Sequence, residues 1–140
     1  MSAIDYEPFE VLTFDCFGTL IDWESGILAA LRPALAGHSV NTSDDELLEL
    51  YGRHEAALEA GGYLSYRDVL AGSFRGLCSD LGFVPADGDA EGFAEAIGDW
   101  PAFPDTAAAL RRLHERLRRR SRRRQLSRPQ TWYGACGVLP

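Results

Sequence analysis

One short apolar run, residues 9–14, has the pattern of a buried β-strand. Its sequence FEVLTF is rich in aromatic and β-branched side chains and stops at Asp15. A strand buried on both faces of a parallel sheet has this composition. The run therefore predicts an α/β core, although a parallel sheet needs neighbouring strands and this chain supplies only one clear strand.

Amphipathic helix patterns follow this run as far as residue 117. Asp22 can cap the first helix, and Ser43 to Glu46 form a capping-box pattern at the start of the second. Ser65 followed by Asp68 is a similar start for the third. The expected helices cover residues 24–36, the segment from Ser43 to Gly61, the segment from Ser65 to Gly82, residues 89–97 and residues 104–117. Most of the first 117 residues are therefore predicted to be helical.

The size and hydropathy of the chain are those of a globular protein. With 140 residues and 46% hydrophobic content, it can form one domain, or a core with a small insertion. No apolar run approaches the roughly 18–20 residues of a bilayer span, and the start MSAIDYEPFE lacks a signal-peptide pattern. We therefore expect a cytoplasmic protein with no membrane partner.

Charge is divided unevenly along the chain. Residues 1–110 contain 4 Arg and 20 Asp or Glu, whereas residues 111–140 contain 10 Arg and only Glu115. After Leu117 no apolar period continues, and three interpretations compete: a basic tail that binds nucleic acid or an acidic surface, a disordered end, or a reading-frame slip. We expect the slip, because a GC-rich gene read out of frame yields Arg-, Pro- and Gly-rich sequence. Nucleic acid is not expected as a partner, since no stacking or groove-reading motif accompanies the charge.

Asp15 is the candidate catalytic residue. In α/β cores, ligands bind beyond the carboxyl ends of the strands, where a residue directly after a buried strand lies. Gly18 allows a sharp turn close to a ligand, and Thr19 supplies a hydroxyl donor. A carboxylate is ionised at neutral pH and can attack without a separate base. The alternative is that Asp15 only stabilises a turn.

Three motifs carry a family resemblance. The stretch FDCFGTLIDW resembles the first motif of the haloacid dehalogenase-like hydrolase superfamily, and GYLSYRDVL and WPAFPDTAAALRRL are similar, in the same order, to its type II 2-haloacid dehalogenase branch. The resemblance implies an α/β fold with a Rossmann-like core and an inserted helical cap. The implied segments are the first strand and nucleophile loop at 1–22, the cap at 23–98, the returning loop and helix at 99–117, and an Arg-rich tail at 118–140.

The resemblance also implies a reaction and a set of site residues. Asp15 would be the nucleophile, Thr19 would hydrogen-bond the substrate or intermediate, and Phe17 and Gly18 would contact the substrate. Phosphatases of the superfamily carry a second Asp where this chain has Phe17, which cannot protonate a leaving alcohol, whereas a halide leaves without a proton. The expected reaction is hydrolytic dehalogenation of a small 2-haloalkanoic acid through an aspartyl ester, without a cofactor.

The resemblance implies that an arginine of the cap binds the substrate carboxylate. Arg53 is the best match to the family's residue and Arg67 the second, because a guanidinium fork fits a carboxylate. A solvated charge on a helix flank is the alternative for each. Family members commonly form homodimers, so a homodimer is implied by the resemblance alone.

The resemblance further implies motifs that this chain does not contain. The family pattern continues with a second strand ending in Ser-Asn, a later Lys and a final acidic motif. This chain has no Lys, and its last carboxylate side chain is Glu115. We therefore expect the chain as given to be inactive or incomplete. The alternatives are a superfamily phosphatase that uses Mg²⁺ on a small phosphate ester, and a non-enzymatic helical interaction module with a basic tail.

Overall fold

The computed structural model describes residues 11–38 and 40–123, with the backbone alone for residues 117–123. This part of the chain forms helices α1 (Trp23–Leu35), α2 (Asp44–Glu59), α3 (Tyr66–Asp80), α4 (Asp89–Glu95) and α5 (Thr106–Arg123), with a 3-10 helix, Ala96–Asp99, after α4. The predicted helices are confirmed, but α5 continues beyond residue 117. None of these helices combines the length and hydropathy needed to cross a bilayer.

The predicted α/β fold with a Rossmann-like core is wrong. The described residues are mostly helical and form no sheet, only isolated bridges that pair Phe17 with Ile21 and Ile21 with Ala102. Residues 11–14 of the predicted strand have no regular structure, and Val11 is 75% exposed; residues 9–10 lie outside the described residues. A β-branched run becomes a strand only beside another strand, and the described residues place none next to this run.

The chain divides into two compact units. One, which we call the helical unit, is Asp22–Pro101; the other, the loop unit, combines Met1–Ile21 with Ala102–Pro140. The helical unit covers the segment 23–98 that the sequence analysis assigned to a cap, and the role of a cap stays a prediction. The loop unit contains the Asp15 motif and α5; residues 124–140 of the Arg-rich tail lie outside the described residues.

Helix α3 is the centre of the helical unit. It buries residues on several sides, namely Val69, Leu70, Ala71, Ser73, Phe74, Leu77 and Cys78. The Phe74 ring stacks on Phe93 of α4 with centroids 5.0 Å apart, and Phe93 also contacts Tyr51 of α2 at 6.0 Å. The buried Ser73 hydroxyl donates to the Val69 carbonyl at 2.8 Å, so burial leaves this polar group bonded. An aromatic core thus joins α2, α3 and α4.

Side-chain caps fix where the helices begin. Asp22 accepts a hydrogen bond from the Ser25 backbone N–H at 3.1 Å at the start of α1, and Ser65 caps α3. At α2 the capping box is complete, since Ser43 and Glu46 each accept a backbone N–H of the other. These caps satisfy N–H groups that have no partner within the helix. All three were predicted from the sequence and are confirmed.

The capping box predicts a pH dependence of stability. Hydrogen bonds from the Ser43 backbone N–H, and then from its hydroxyl, lower the pKa of Glu46 below its usual value. A lowered folded-state pKa means that the stabilisation is present above the unfolded pKa and is lost as pH falls through the folded pKa. Glu46→Gln should therefore flatten the dependence of Tm on pH between about pH 5 and pH 3, measured by circular dichroism.

The control for this experiment lies on the same helix. Glu49 is exposed and makes no hydrogen bond or ion pair with the described residues, so Glu49→Gln should leave the pH dependence as it is. An unchanged slope of Tm against pH in Glu46→Gln would show that the capping box does not act through the carboxylate charge.

Candidate functional site

The Asp15 motif forms a tight loop. The Cys16 carbonyl accepts backbone hydrogen bonds from Leu20 at 2.8 Å and Ile21 at 3.0 Å, and the Gly18 N–H donates to the Ile21 carbonyl at 2.8 Å. Gly18 has a φ of 81°, in the left-handed region that a residue with a Cβ rarely adopts. The predicted sharp turn at Gly18 is therefore confirmed.

Asp15 and Thr19 meet within this loop. The Thr19 hydroxyl donates to Asp15 Oδ2 at 3.1 Å, and both side chains are exposed. Among the described residues no cation lies within ion-pair distance of the Asp15 carboxylate. The hydroxyl can thus hold one carboxylate oxygen while the other is left to react, which is the arrangement that an oriented nucleophile needs.

The segment that leads into α5 holds the Asp15 loop in place, although the two are more than 80 residues apart in the sequence. The Leu20 carbonyl accepts hydrogen bonds from the Phe103 N–H at 3.1 Å and from the Thr106 hydroxyl at 2.9 Å. Thr106 is buried at the first position of α5, directly after the turn at Pro104. The motif WPAFPDT therefore has a structural role, because it fixes the backbone next to Thr19. Sequence reasoning missed this role, because no local pattern indicates a bond between positions 86 residues apart.

The remaining predicted residues of the loop are also accessible. Phe17 is 41% exposed and its backbone forms the bridge with Ile21, and Gly18 is exposed beside it. An exposed aromatic ring two residues from the carboxylate can cover an apolar ligand, but it cannot donate a proton. Asp15, Phe17, Gly18 and Thr19 thus lie together in one loop, and their roles toward a substrate stay predictions.

The two candidate arginines belong to the helical unit. Arg67 forms an ion pair with Glu95. Arg53 is exposed on α2, and none of the described carboxylates pairs with it. Since its guanidinium is not already committed, Arg53 is better suited than Arg67 to take a carboxylate ligand.

A cluster of two tyrosines and a glutamate was missed by sequence reasoning. Tyr51 and Tyr66 both donate to Glu55 Oε1, at 3.0 and 3.1 Å. Burial, and then the charge of Glu55, raises the pKa of both phenols, so both stay protonated at neutral pH. The spacing of Tyr51 and Glu55 by four residues on α2 was the signal that could have found their contact. The cluster joins α2 to the start of α3.

Cys78 and His54 are two further groups of the helical unit that could act as a nucleophile or a base. Burial raises the pKa of the Cys78 thiol to about 11, so the thiolate that would react is absent at neutral pH. His54 Nε2 lies 3.0 Å from Asp80 Oδ2, which links α2 to the end of α3. Both groups therefore serve packing and helix contact, and the exposed Asp15 remains the best-placed nucleophile described here.

Comparison with known proteins adds no relative. No family model matches the chain, and no curated protein is significantly similar to it. The resemblance to the haloacid dehalogenase-like superfamily consequently rests on the motifs themselves, and both the family and the absence of a cofactor stay predictions.

Proposed function

We propose that this chain carries the nucleophile loop of a haloacid dehalogenase-like hydrolase, similar to the type II 2-haloacid dehalogenases. The observation that supports the proposal is the 3.1 Å hydrogen bond from the Thr19 hydroxyl to the exposed Asp15 carboxylate. The loop that holds both residues is fixed by the Leu20 carbonyl and by the turn at Gly18. The substrate would be a small 2-haloalkanoic acid of the cytoplasm.

The reaction has two steps. In the first, an Asp15 carboxylate oxygen attacks C2 of the haloacid, a C–O bond forms, and the C–halogen bond breaks with its electron pair leaving on the halide. In the second, water attacks the side-chain carbonyl carbon of the ester. The bond from the carbonyl carbon to the substrate oxygen then breaks, this oxygen takes one proton of the attacking water to give the 2-hydroxy acid, the other proton passes to solvent, and the Asp15 carboxylate is restored with one oxygen from water.

Two features favour a halide as the leaving group and a carboxylate as the group by which the substrate is bound. Phe17 stands where a phosphatase needs a general acid, and halide departs without one. Arg53, exposed and with no described carboxylate partner, is our candidate for the substrate carboxylate, which a guanidinium binds through two hydrogen bonds. The phosphatase alternative lacks a corresponding proton donor at Phe17.

Activity also requires groups that this sequence does not contain. The motifs imply a Ser-Asn strand end, a lysine and a later acidic motif, whereas the chain has no lysine and no carboxylate side chain after Glu115. An ester intermediate and its attacking water need such charges for stabilisation. We therefore propose that the 140-residue chain releases no halide and that reading the codons after residue 116 in the correct frame restores activity.

The experiment measures halide release from 2-chloropropionate. We expect none from the 140-residue chain, release from the protein with the restored frame, and loss of that release in its Asp15→Asn variant. The amide is a far weaker nucleophile than the carboxylate, so the loss should be complete within detection. Asp87→Asn, which changes an exposed aspartate in the helical unit, is the matched control and should keep full activity.

Each part of the proposal has its own contradicting result. Halide release by the 140-residue chain would disprove the requirement for the missing motifs. Magnesium-dependent phosphate release without halide release by the restored protein would favour the phosphatase. If no frame of the codons after residue 116 encodes an apolar strand ending in Ser-Asn, the frame slip is wrong.

A further inference from the structure

Helix α5 presents a dense array of arginines. Its 18 residues, Thr106–Arg123, include eight Arg and a single acidic residue, Glu115. Residues 118–140 were expected to form an Arg-rich tail, because no apolar period continues after Leu117 in the sequence. The helix instead sets its arginines at regular positions along a rod about 27 Å long.

The helical register separates the arginines from the buried side of α5. Thr106 and Leu110 are buried, and Arg111 and Arg112 are exposed. A rotation of about 100° per residue places positions 113 and 117, both Leu, on the same side as Leu110. The arginine positions between 111 and 123, with the exception of 120, fall on the remaining sides, so one helix has an apolar side and a broad basic face.

We propose that this basic face of α5, formed by the arginine positions between 111 and 123, binds duplex DNA through its phosphates without reading the bases. Duplex DNA carries about one negative charge per 1.7 Å of its axis, so a rod about 27 Å long meets many phosphates. The major groove, about 12 Å wide, admits an α-helix, whereas the major groove of A-form RNA is too narrow for one. Guanidinium groups bind phosphate oxygens through paired hydrogen bonds.

The division of charge along the chain supports one binding face. Residues 1–110 hold 20 of the 21 acidic side chains, and residues 111–140 hold 10 of the 14 arginines. The acidic residues repel DNA, so DNA is attracted to the basic face, and salt weakens this attraction by screening the charges. This binding needs neither Asp15 nor the loop that holds it. It does need the arginines after residue 116, so the proposal applies to the 140-residue chain and not to a protein whose reading frame is restored at that point.

The test uses the full 140-residue chain and a fluorescent DNA duplex about two turns long. Anisotropy should report binding that weakens as salt rises, with a slope of log K against log salt of about -4.5 if five phosphates are contacted. That slope corresponds to a loss of affinity of about 500-fold between about 50 and 200 mM salt. Base sequence should not change the affinity.

Two matched double variants decide whether α5 is the binding face. R111Q/R112Q removes two exposed charges from α5 while glutamine keeps the helix propensity, and it should make the slope shallower by about 1.8. R32Q/R75Q removes the same charge from the helical unit, where both arginines are ion-paired, and should leave the slope unchanged. Circular dichroism confirms that each variant keeps its helices.

Three outcomes would overturn the proposal. They are no binding of the duplex at about 50 mM salt, an equal slope in the chain and in R111Q/R112Q, or binding to vesicles of phosphatidylserine with none to the duplex. Equal loss of affinity in both double variants would likewise show that overall charge, and not α5, governs association.

Discussion

Replacement of Phe74 by alanine is expected to lower the free energy of unfolding of the helical unit by about 3–5 kcal/mol. Phe74 is fully buried on α3, and its ring stacks on Phe93 with an interplanar angle of 23°. Alanine removes the ring and leaves a cavity between α3 and α4 that the backbone cannot close. Since a domain of this kind has a net stability of about 5–15 kcal/mol, a large share of it would be lost.

Urea denaturation followed by far-UV circular dichroism measures this effect. Val84→Ala is the control, because Val84 is 89% exposed and its truncation should change the unfolding free energy by less than about 0.5 kcal/mol. A Phe74→Ala protein that unfolds at the same urea concentration as the unchanged chain would contradict the aromatic core described for α2, α3 and α4.

The second large effect is expected at Gly26, where α1 passes against Trp100. A Cβ added at Gly26 would lie 2.4 Å from Trp100 Cγ and 2.9 Å from Trp100 Cβ. Both residues are buried, and the Trp100 Cβ is tied to its own backbone, so the indole cannot simply swing away. Gly26→Ala should cost about 1–3 kcal/mol through overpacking, more than the helix gains from alanine.

At Gly52, on helix α2, we expect alanine to stabilise the protein instead of destabilising it. Gly52 lies inside α2, and an added Cβ there would meet no atom within 4 Å. Gly52→Ala should therefore stabilise the protein by about 0.5–1 kcal/mol, because alanine restricts the unfolded chain and favours the helix. Thermal denaturation of the two variants should give Tm shifts of opposite sign; shifts of the same sign would mean that contact with Trp100 does not control the Gly26 site.

The helices were predictable because their signals are local. Asp22, Ser43 and Ser65 cap helix starts within three residues of themselves, and Gly82 ends α3 with a φ of 82°. The strand over residues 9–14 was not predictable, since a strand depends on a partner that can lie anywhere in the chain. Local composition favoured a strand, and no partner in the described residues completed it.

The same distinction applies to the candidate site. Asp15, Gly18 and Thr19 lie within five residues, so their spacing in the sequence already indicated the loop. The Thr19 hydroxyl was predicted to hydrogen-bond a substrate or intermediate, and its bond to Asp15 was not predicted. The bond from Thr106 to Leu20 joins positions 86 residues apart, and no local pattern predicts such a pairing. The contacts of Tyr66 with Glu55 and of Arg67 with Glu95 were missed for the same reason.

The hydrogen bonds that the Leu20 carbonyl accepts also determine which part of the protein folds first during synthesis. The helical unit is complete once Pro101 has left the ribosome, but the Asp15 loop gains its hydrogen bonds from Phe103 and Thr106 only after α5 starts to emerge. At a synthesis rate of about 5–20 residues per second, roughly 4–17 s pass between synthesis of the Asp15 loop and synthesis of Thr106. The Asp15 loop is therefore among the last parts of the described chain to reach its final geometry, and in a nascent chain stalled before residue 106 it would lack the hydrogen bond from Thr106.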